Sequence, residues 1–254
     1  MPEDLISGDL NFHSIYIHAG ITSTVTTSFS GPDPIGFGPQ GLTFDGGKPL
    51  RRYGNLISAG ESLESIFIHA GVTSTITTSF SIPGAGTESG PITITVDASG
   101  NLISVRAQEL AKGTIRIHAG ITDTITTSFS SPFNNCRGIT VDASGNLISD
   151  DMQTYSGYIH AGITSTITTS FTIAAWYING IEVSEAGNLI VADYFKDTIH
   201  IHAGITSTVT TSFSSPHTFP WPLTLRGPVW APAAYPLIGK PLVAPMIVER
   251  PKIR

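Results

Sequence analysis

Five histidines stand at matching places in five copies of the string Ile-His-Ala-Gly: His18, His69, His118, His160 and His202. Imidazole is a common metal ligand and the usual proton carrier near neutral pH, so a repeated histidine first suggests a metal site or a general base. The spacing argues against a shared metal. The histidines follow one another at 51, 49, 42 and 42 residues by subtraction, whereas a zinc ion needs its ligands within about 2.0–2.3 Å. Side chains that recur once per structural unit are held apart by the repetition of the unit. The expectation is a structural hydrogen bond from each imidazole to a hydroxyl or backbone group, tying one unit to the next, with no metal and no cofactor.

The carboxylates are patterned in the same way. Asp9, Asp151 and Asp193 end one apolar run, with Gly60 in the matching place of the second copy, and Asp45, Asp97 and Asp142 end another. Aspartate at the end of such a run caps a turn through local hydrogen bonds. A metal-dependent lactonase would need a converging set of Glu, Asp and Asn. Asn134, Asn135, Asn179 and Glu182 are the candidates, and symmetry between units does not assemble them. No Gly-x-Ser-x-Gly, His-Glu-x-x-His or phosphate-loop pattern occurs. No catalytic residue is assigned. The single cysteine, Cys136, has no internal disulfide partner and reads as a structural thiol.

The unit that carries these residues is about 42 residues long, with insertions in two copies. A second string, Gly-Asn-Leu-Ile, starts at Gly54, Gly100, Gly145 and Gly187, and Asp4-Leu5-Ile6-Ser7 is a degraded fifth copy. In the fourth copy Gly138–Asp142 and Asn146–Ser149 form two short runs around a turn at Ala143-Ser144-Gly145; Tyr158–His160 and Ser165–Phe171 form two more. Their β-branched residues and glycine turns predict four short strands per unit, and no 3.6-residue period competes. One four-stranded sheet cannot bury both faces alone, so the copies must stack.

The two ends of the chain decide how they stack. Asp4 to Gly20 aligns without gaps on Asn188 to Gly204, so the chain opens inside a unit without a first strand. Pro222-Leu223-Thr224-Leu225-Arg226, 84 residues after Gly138–Asp142, supplies the missing strand. The predicted fold is therefore all-β: a five-bladed β-propeller of four-stranded antiparallel blades, closed by the C-terminal strand, with an extended Pro-rich tail. Residues 1–226 make the ring, with blades at about 1–40 plus 217–226, 41–90, 91–137, 138–179 and 180–216. Residues 227–254 make the tail.

The blade pattern resembles the NHL-type and SMP-30-like β-propellers. It does so in the inner strand Gly138-Ile139-Thr140-Val141-Asp142, the turn Ser144-Gly145-Asn146, and the strands Val191-Ala192-Asp193 and Thr198-Ile199-His200-Ile201. The resemblance spans about residues 4–226 and departs from the usual six blades by showing five. It implies a propeller; the same ring carries binding modules, scaffolds, lactonases and lyases.

The outer-strand run is nearly fixed, whereas the connections to the next inner strand differ in length and content. In a propeller these connections gather on one face near the axis. They carry Phe37, Phe133, Asn134, Arg137, Trp176, Tyr177, Asn179 and Trp221, with Asn135 and Phe219 beside them. Aromatics with neighbouring amides either stack on sugar rings, anchor a protein interface, or plug the channel. The tail holds six prolines, which exclude a regular helix, and apolar residues including Trp230, Tyr235, Met246 and Ile247. It is either a strap on its own ring or an arm that docks on a partner or neighbouring subunit.

A net charge of −6 gives no general attraction for phosphate backbones, so nucleic acid is not an expected partner. The first residues lack the basic start and apolar core of a signal peptide, and no run of 18 apolar residues occurs. A soluble chain is expected, with its compartment open. The functional expectation is a non-enzymatic scaffold or binding module in a larger assembly; a glycan-binding propeller and a propeller-type lactonase or lyase are the alternatives.

Overall fold

The computed structural model describes residues 3–9, 11–32, 38–46, 54–60, 64–82, 93–108, 111–218 and 220–227. Twenty strands among them form five antiparallel four-stranded sheets. From the inner strand outward, blade one is Pro220–Arg226, Asp4–Asp9, Ser14–His18 and Val25–Ser30. Blade two is Gly41–Phe44, Leu56–Gly60, Ser65–His69 and Ile76–Ser81. Blade three is Thr93–Val96, Leu102–Gln108, Ala111–His118 and Ile125–Ser130. Blade four is Ile139–Val141, Leu147–Asp151, Ser156–His160 and Ile167–Thr172. Blade five is Ile178–Val183, Leu189–Asp193, Thr198–His202 and Val209–Ser214.

Each inner strand touches the inner strands of the blades before and after it, and the fifth returns to the first, so the sheets form a closed ring. The closing strand pairs in the expected place: Asp4 opposite Arg226, Leu5 opposite Leu225, Ile6 opposite Thr224 and Ser7 opposite Leu223. The structure is a five-bladed β-propeller.

The core is divided among the gaps between blades. The adjacent Leu and Ile of each second strand point to opposite faces of the sheet, as period two requires. Leu5 packs with Ile190, Ala192 and Ile199 of blade five, while Ile6 packs with Leu42, Phe44 and Leu56 of blade two. Three further clusters fill the remaining gaps. A blade removed from the ring would expose apolar side chains on both faces.

Turns fasten the far end of each blade. Asp97 accepts the backbone N–H groups of Ser99 and Asn101, and Asn101 in turn accepts the N–H of Gly120, in the next hairpin of the same blade. Asp142, Asn146 and Gly162 repeat this in blade four. Gly100 and Gly145 sit at φ of 82° and 81°, the left-handed region these turns require.

Candidate functional site

The repeated histidines are buried, and in His18, His69, His160 and His202 an Nδ1 contact to a carbonyl fixes the tautomer. His18 Nδ1 lies 2.7 Å from the carbonyl oxygen of Thr22, and Nε2 lies 2.8 Å from Ser7 Oγ. A carbonyl only accepts, so Nδ1 carries the proton and the serine hydroxyl donates to the bare Nε2. Ser58–His69, Ser104–His118 and Ser149–His160 repeat the contact at 2.8, 3.0 and 2.8 Å. Burial holds all five imidazoles below the usual histidine pKa, with the carbonyl contact acting more weakly the other way. These bonds join the outer hairpin to the second strand of the same blade. The expected tie from one blade to the next is not what they make, because each serine sits on the strand paired with the histidine's own, in the same sheet.

Blade five lacks the serine. Val191 takes its place, and His202 Nε2 is buried without a partner among the described residues although Nδ1 still meets Thr206 O at 2.8 Å.

Blade one adds a third group. Ser7 Oγ also lies 2.9 Å from His217 Nε2, and His217 Nδ1 lies 3.5 Å from Asp9 Oδ2. Serine, histidine and aspartate in that order are the groups of a hydrolytic triad. Here, however, Ser7 and Asp9 are fully buried and the serine proton is committed to His18. The network therefore knits the closing connection to the first blade. Tyr16 stacks on the His217 ring at 4.5 Å.

The variable connections lie on the same face as the turns between second and third strands, because strand direction alternates across a blade. On blades four and five this face is aromatic. Trp176 is 69% exposed and Phe195 62% exposed, and Tyr155 is exposed beside them. Tyr155, Thr172, Ile173, Trp176 and Lys196 line an open depression of about 540 Å³. Asp193 Oδ2 accepts the Trp176 backbone N–H at 2.9 Å and lies 3.8 Å from Lys196 Nζ, whose ammonium is 5.5 Å from the Trp176 ring centre. Burial acts to raise the Asp193 pKa, and its contacts to His200, the Trp176 N–H and Lys196 outweigh it and hold the carboxyl below its usual value. Tyr177 packs against Tyr194 and Phe195 at 5.3 and 4.8 Å, extending the patch toward the axis.

Toward the axis the surroundings become polar. The Arg137 guanidinium carbon lies 5.3 Å from the Tyr177 ring centre and 5.4 Å from that of Trp221. Asn179 and Trp221, expected on loops, belong to inner strands and are buried. Behind Arg137, Asp150 is fully buried, and burial raises its pKa to about 7 against the backbone N–H groups of Gly138 and Arg137 that it accepts. Burial likewise pushes the Cys136 thiol well up. Glu182 Oε1 accepts from Thr140 of blade four at 2.7 Å, and Oε2 accepts from Thr224 of blade one at 3.4 Å.

The structure thus brings Arg137, Tyr177 and Trp221 together, with Asn179 on the inner strand of blade five, between blades four and one, and separates the rest. Phe133 stacks on Tyr158 at 3.7 Å, Asn134 is exposed, and Asn135 is buried. Phe37, Phe219, Trp230, Tyr235, Met246 and Ile247 lie outside the described residues. Sequence reasoning missed Tyr155, Tyr194, Phe195 and Lys196. Strand parity was the available signal, since it puts second-to-third turns on the loop face. Among the described residues no three of His, Cys, Asp and Glu converge as metal ligands, and no helix is long and apolar enough to cross a membrane.

Solved structures share the architecture. The chain is similar to one from a nidogen/laminin complex at 16% identity, covering 87% of this chain and 83% of that one with a TM-score of 0.57. A glutaminyl cyclase from Myxococcus xanthus is 12% identical, with 70% of each chain covered and a TM-score of 0.54. A protein of unknown function from Bacteroides caccae is 11% identical, covering 84% of this chain and 73% of that one with a TM-score of 0.53. These likenesses show the fold. No family model matches the chain, and no curated protein matches it.

Proposed function

We propose that this propeller is a non-enzymatic binding module whose loop face over blades four and five docks a protein partner. The observation that carries the reading is the exposed pair Trp176 and Phe195, with Tyr155 and Lys196 around the same depression. Large aromatics left in water on one rigid face are the residues that anchor interfaces. Asp193 supports the role by fixing the Trp176 backbone, so little ordering is lost on docking. The NHL-like blade pattern and the apolar residues of the tail, Trp230, Tyr235, Met246 and Ile247, fit a subunit with a second contact through residues 227–254.

A photo-cross-linker placed at position 195 in the full chain tests the face. One defined protein adduct, lost when Trp176→Ala is added, is the expected result; adducts unchanged by that substitution sink the reading. Light scattering with and without residues 227–254 tests the tail, whose removal is expected to reduce the assembled mass. A glycan reading has one observation in its favour: a tryptophan platform with an ammonium beside it suits an acidic sugar. A glycan array hit abolished by Trp176→Ala would replace the protein partner with that ligand.

A further inference from the structure

Arg137, Asn179 and Trp221 follow one another at 42 residues and occupy one rung of the ring, Arg137 just before the inner strand of blade four and the other two at the start of those of blades five and one. In contacting Trp221, the Arg137 guanidinium reaches from blade four to blade one, past the blade that carries Asn179 between them. Three residues further along the same strands, Thr140, Glu182 and Thr224 form the next rung. The Thr43 and Thr95 hydroxyls of that lower rung have no partner among the described residues, but on blades four, five and one the rung satisfies itself: the Thr140 and Thr224 hydroxyls and the Val183 N–H are bonded to the Glu182 carboxylate.

The upper rung does not. Asn179 is 0% exposed, yet neither its Oδ1 nor its Nδ2 has a partner among the described residues. Trp221 is 4% exposed and its indole N–H has no acceptor among them; Arg137 Nε has none either. Buried polar groups are nearly always bonded, and each one left unpaired costs about 1–3 kcal/mol. Three donors of this kind and one acceptor stand on one rung. Tyr177 and Trp221 flank the guanidinium, and aromatic neighbours leave its planar hydrogen-bonding edge as the part that can meet a ligand.

We propose that this rung is a binding site for a small hydroxy-monocarboxylate. The carboxylate accepts from the Arg137 edge and the Trp221 indole N–H, and the ligand hydroxyl bonds the Asn179 carboxamide, which can both donate and accept. A single negative charge fits better than two or three, because the rung holds one cation while Glu182 lies roughly 10 Å along the channel, three strand residues away. Arg137 is the partly exposed member, so admitting the ligand to the two sealed groups requires its side chain to swing outward. The site stands apart from the Trp176 surface, and either can fail alone.

Isothermal titration and thermal melts of the full chain with sodium glycolate test it, against sodium acetate, glycerol and sodium chloride at matched ionic strength. Glycolate is expected to bind saturably and more tightly than acetate, with glycerol inert. Arg137→Met is expected to weaken glycolate at least about tenfold. Asn179→Leu is expected to bind glycolate no better than acetate. Melting that does not distinguish glycolate from chloride in the wild-type chain overturns the site before any variant is made. Glycolate binding that survives Arg137→Met overturns it afterwards.

Discussion

Each blade has two halves of opposite character. The outer half, from the third strand through the Ala-Gly turn to the Thr-rich fourth strand, is nearly the same five times. Its exposed strands read Val/Ile-Thr-Thr-Ser-Phe followed by Ser or Thr in every blade. The inner half differs from blade to blade even though it is buried. One set of equivalent inner-strand positions is threonine in four blades, Thr43, Thr95, Thr140 and Thr224, and Glu182 in the fifth, and one rung away stand the four different residues Gln40, Arg137, Asn179 and Trp221. Repetition in the outer half makes a uniform frame, held by one hydrogen-bond scheme. Individuality is confined to the axis and the loop face, where a ring brings different residues to one place.

Removing the strand that joins the two ends should have the largest effect. A chain ending at His217 loses the partner of Asp4–Asp9 and the Leu223 and Leu225 side chains that pack between blades five and one. Burial of two leucines alone contributes about 3–6 kcal/mol, which is comparable with the whole stability of many domains. Circular dichroism melts of the truncated chain should show a lower, broader transition. A cooperative melt at the full-length temperature would mean that the inner half does not need closure.

The halves should also answer oppositely to pH. Asp150, on the inner side, has a folded pKa of about 7 against 3.8 for an ordinary aspartate. The folded state then keeps a proton that the unfolded chain has released, so stability falls as pH rises from about 4 to 7, by a few kcal/mol on the order of 1.4 per unit. The buried histidines of the outer half have lowered values, so their contribution is present above about 6.5 and is lost as pH falls below it. Asp150→Asn should raise Tm at pH 8 and raise it by clearly less at pH 5, where only about a third of the penalty has developed. The same Tm increment at both pH values would remove Asp150 from the account.

The outer frame was legible because it is periodic. Five Ile-His-Ala-Gly strings, four Gly-Asn-Leu-Ile strings and the misplaced fifth inner strand carry blade number, strand count and closure without any contact between distant residues being known. The site was legible only in outline. Arg137, Tyr177 and Trp221 come from connections whose variability marked them, but their meeting depends on the ring bringing blade four to blade one. His217 and Asp150 carried no signal, since neither is repeated in the other blades and each acts through contacts that appear only on folding: Ser7 and Asp9 for one, the Arg137 and Gly138 amides for the other.

A single outer-half histidine tests whether the frame is held as drawn. His69→Ala leaves Ser58 without its acceptor and the Thr73 carbonyl without its donor. The expected loss is about 2 kcal/mol in urea unfolding. The variant should also lose part of the decline in stability below pH 6.5, since one of the buried imidazoles is gone. A loss with no change in acid sensitivity would point to a cavity rather than to the imidazole.

The smallest effect runs in the other direction and comes from the one place where the inner half interrupts the outer scheme. Val191 stands where four blades have serine, so the His202 imidazole keeps its proton on Nδ1, facing Thr206, and presents a bare Nε2 to a methyl-bearing neighbour. Val191→Ser restores the donor at the cost of apolar burial. A newly satisfied buried acceptor is worth about 1–3 kcal/mol, while the transfer of two methyl groups costs about 1.5 kcal/mol. The net expectation is a small gain, up to about 1 kcal/mol, read as a higher urea midpoint at unchanged slope. The same serine in a His202→Leu background has nothing to bond and should only destabilise. The sign difference between the two backgrounds measures the Ser–His bond itself, free of the packing change common to both.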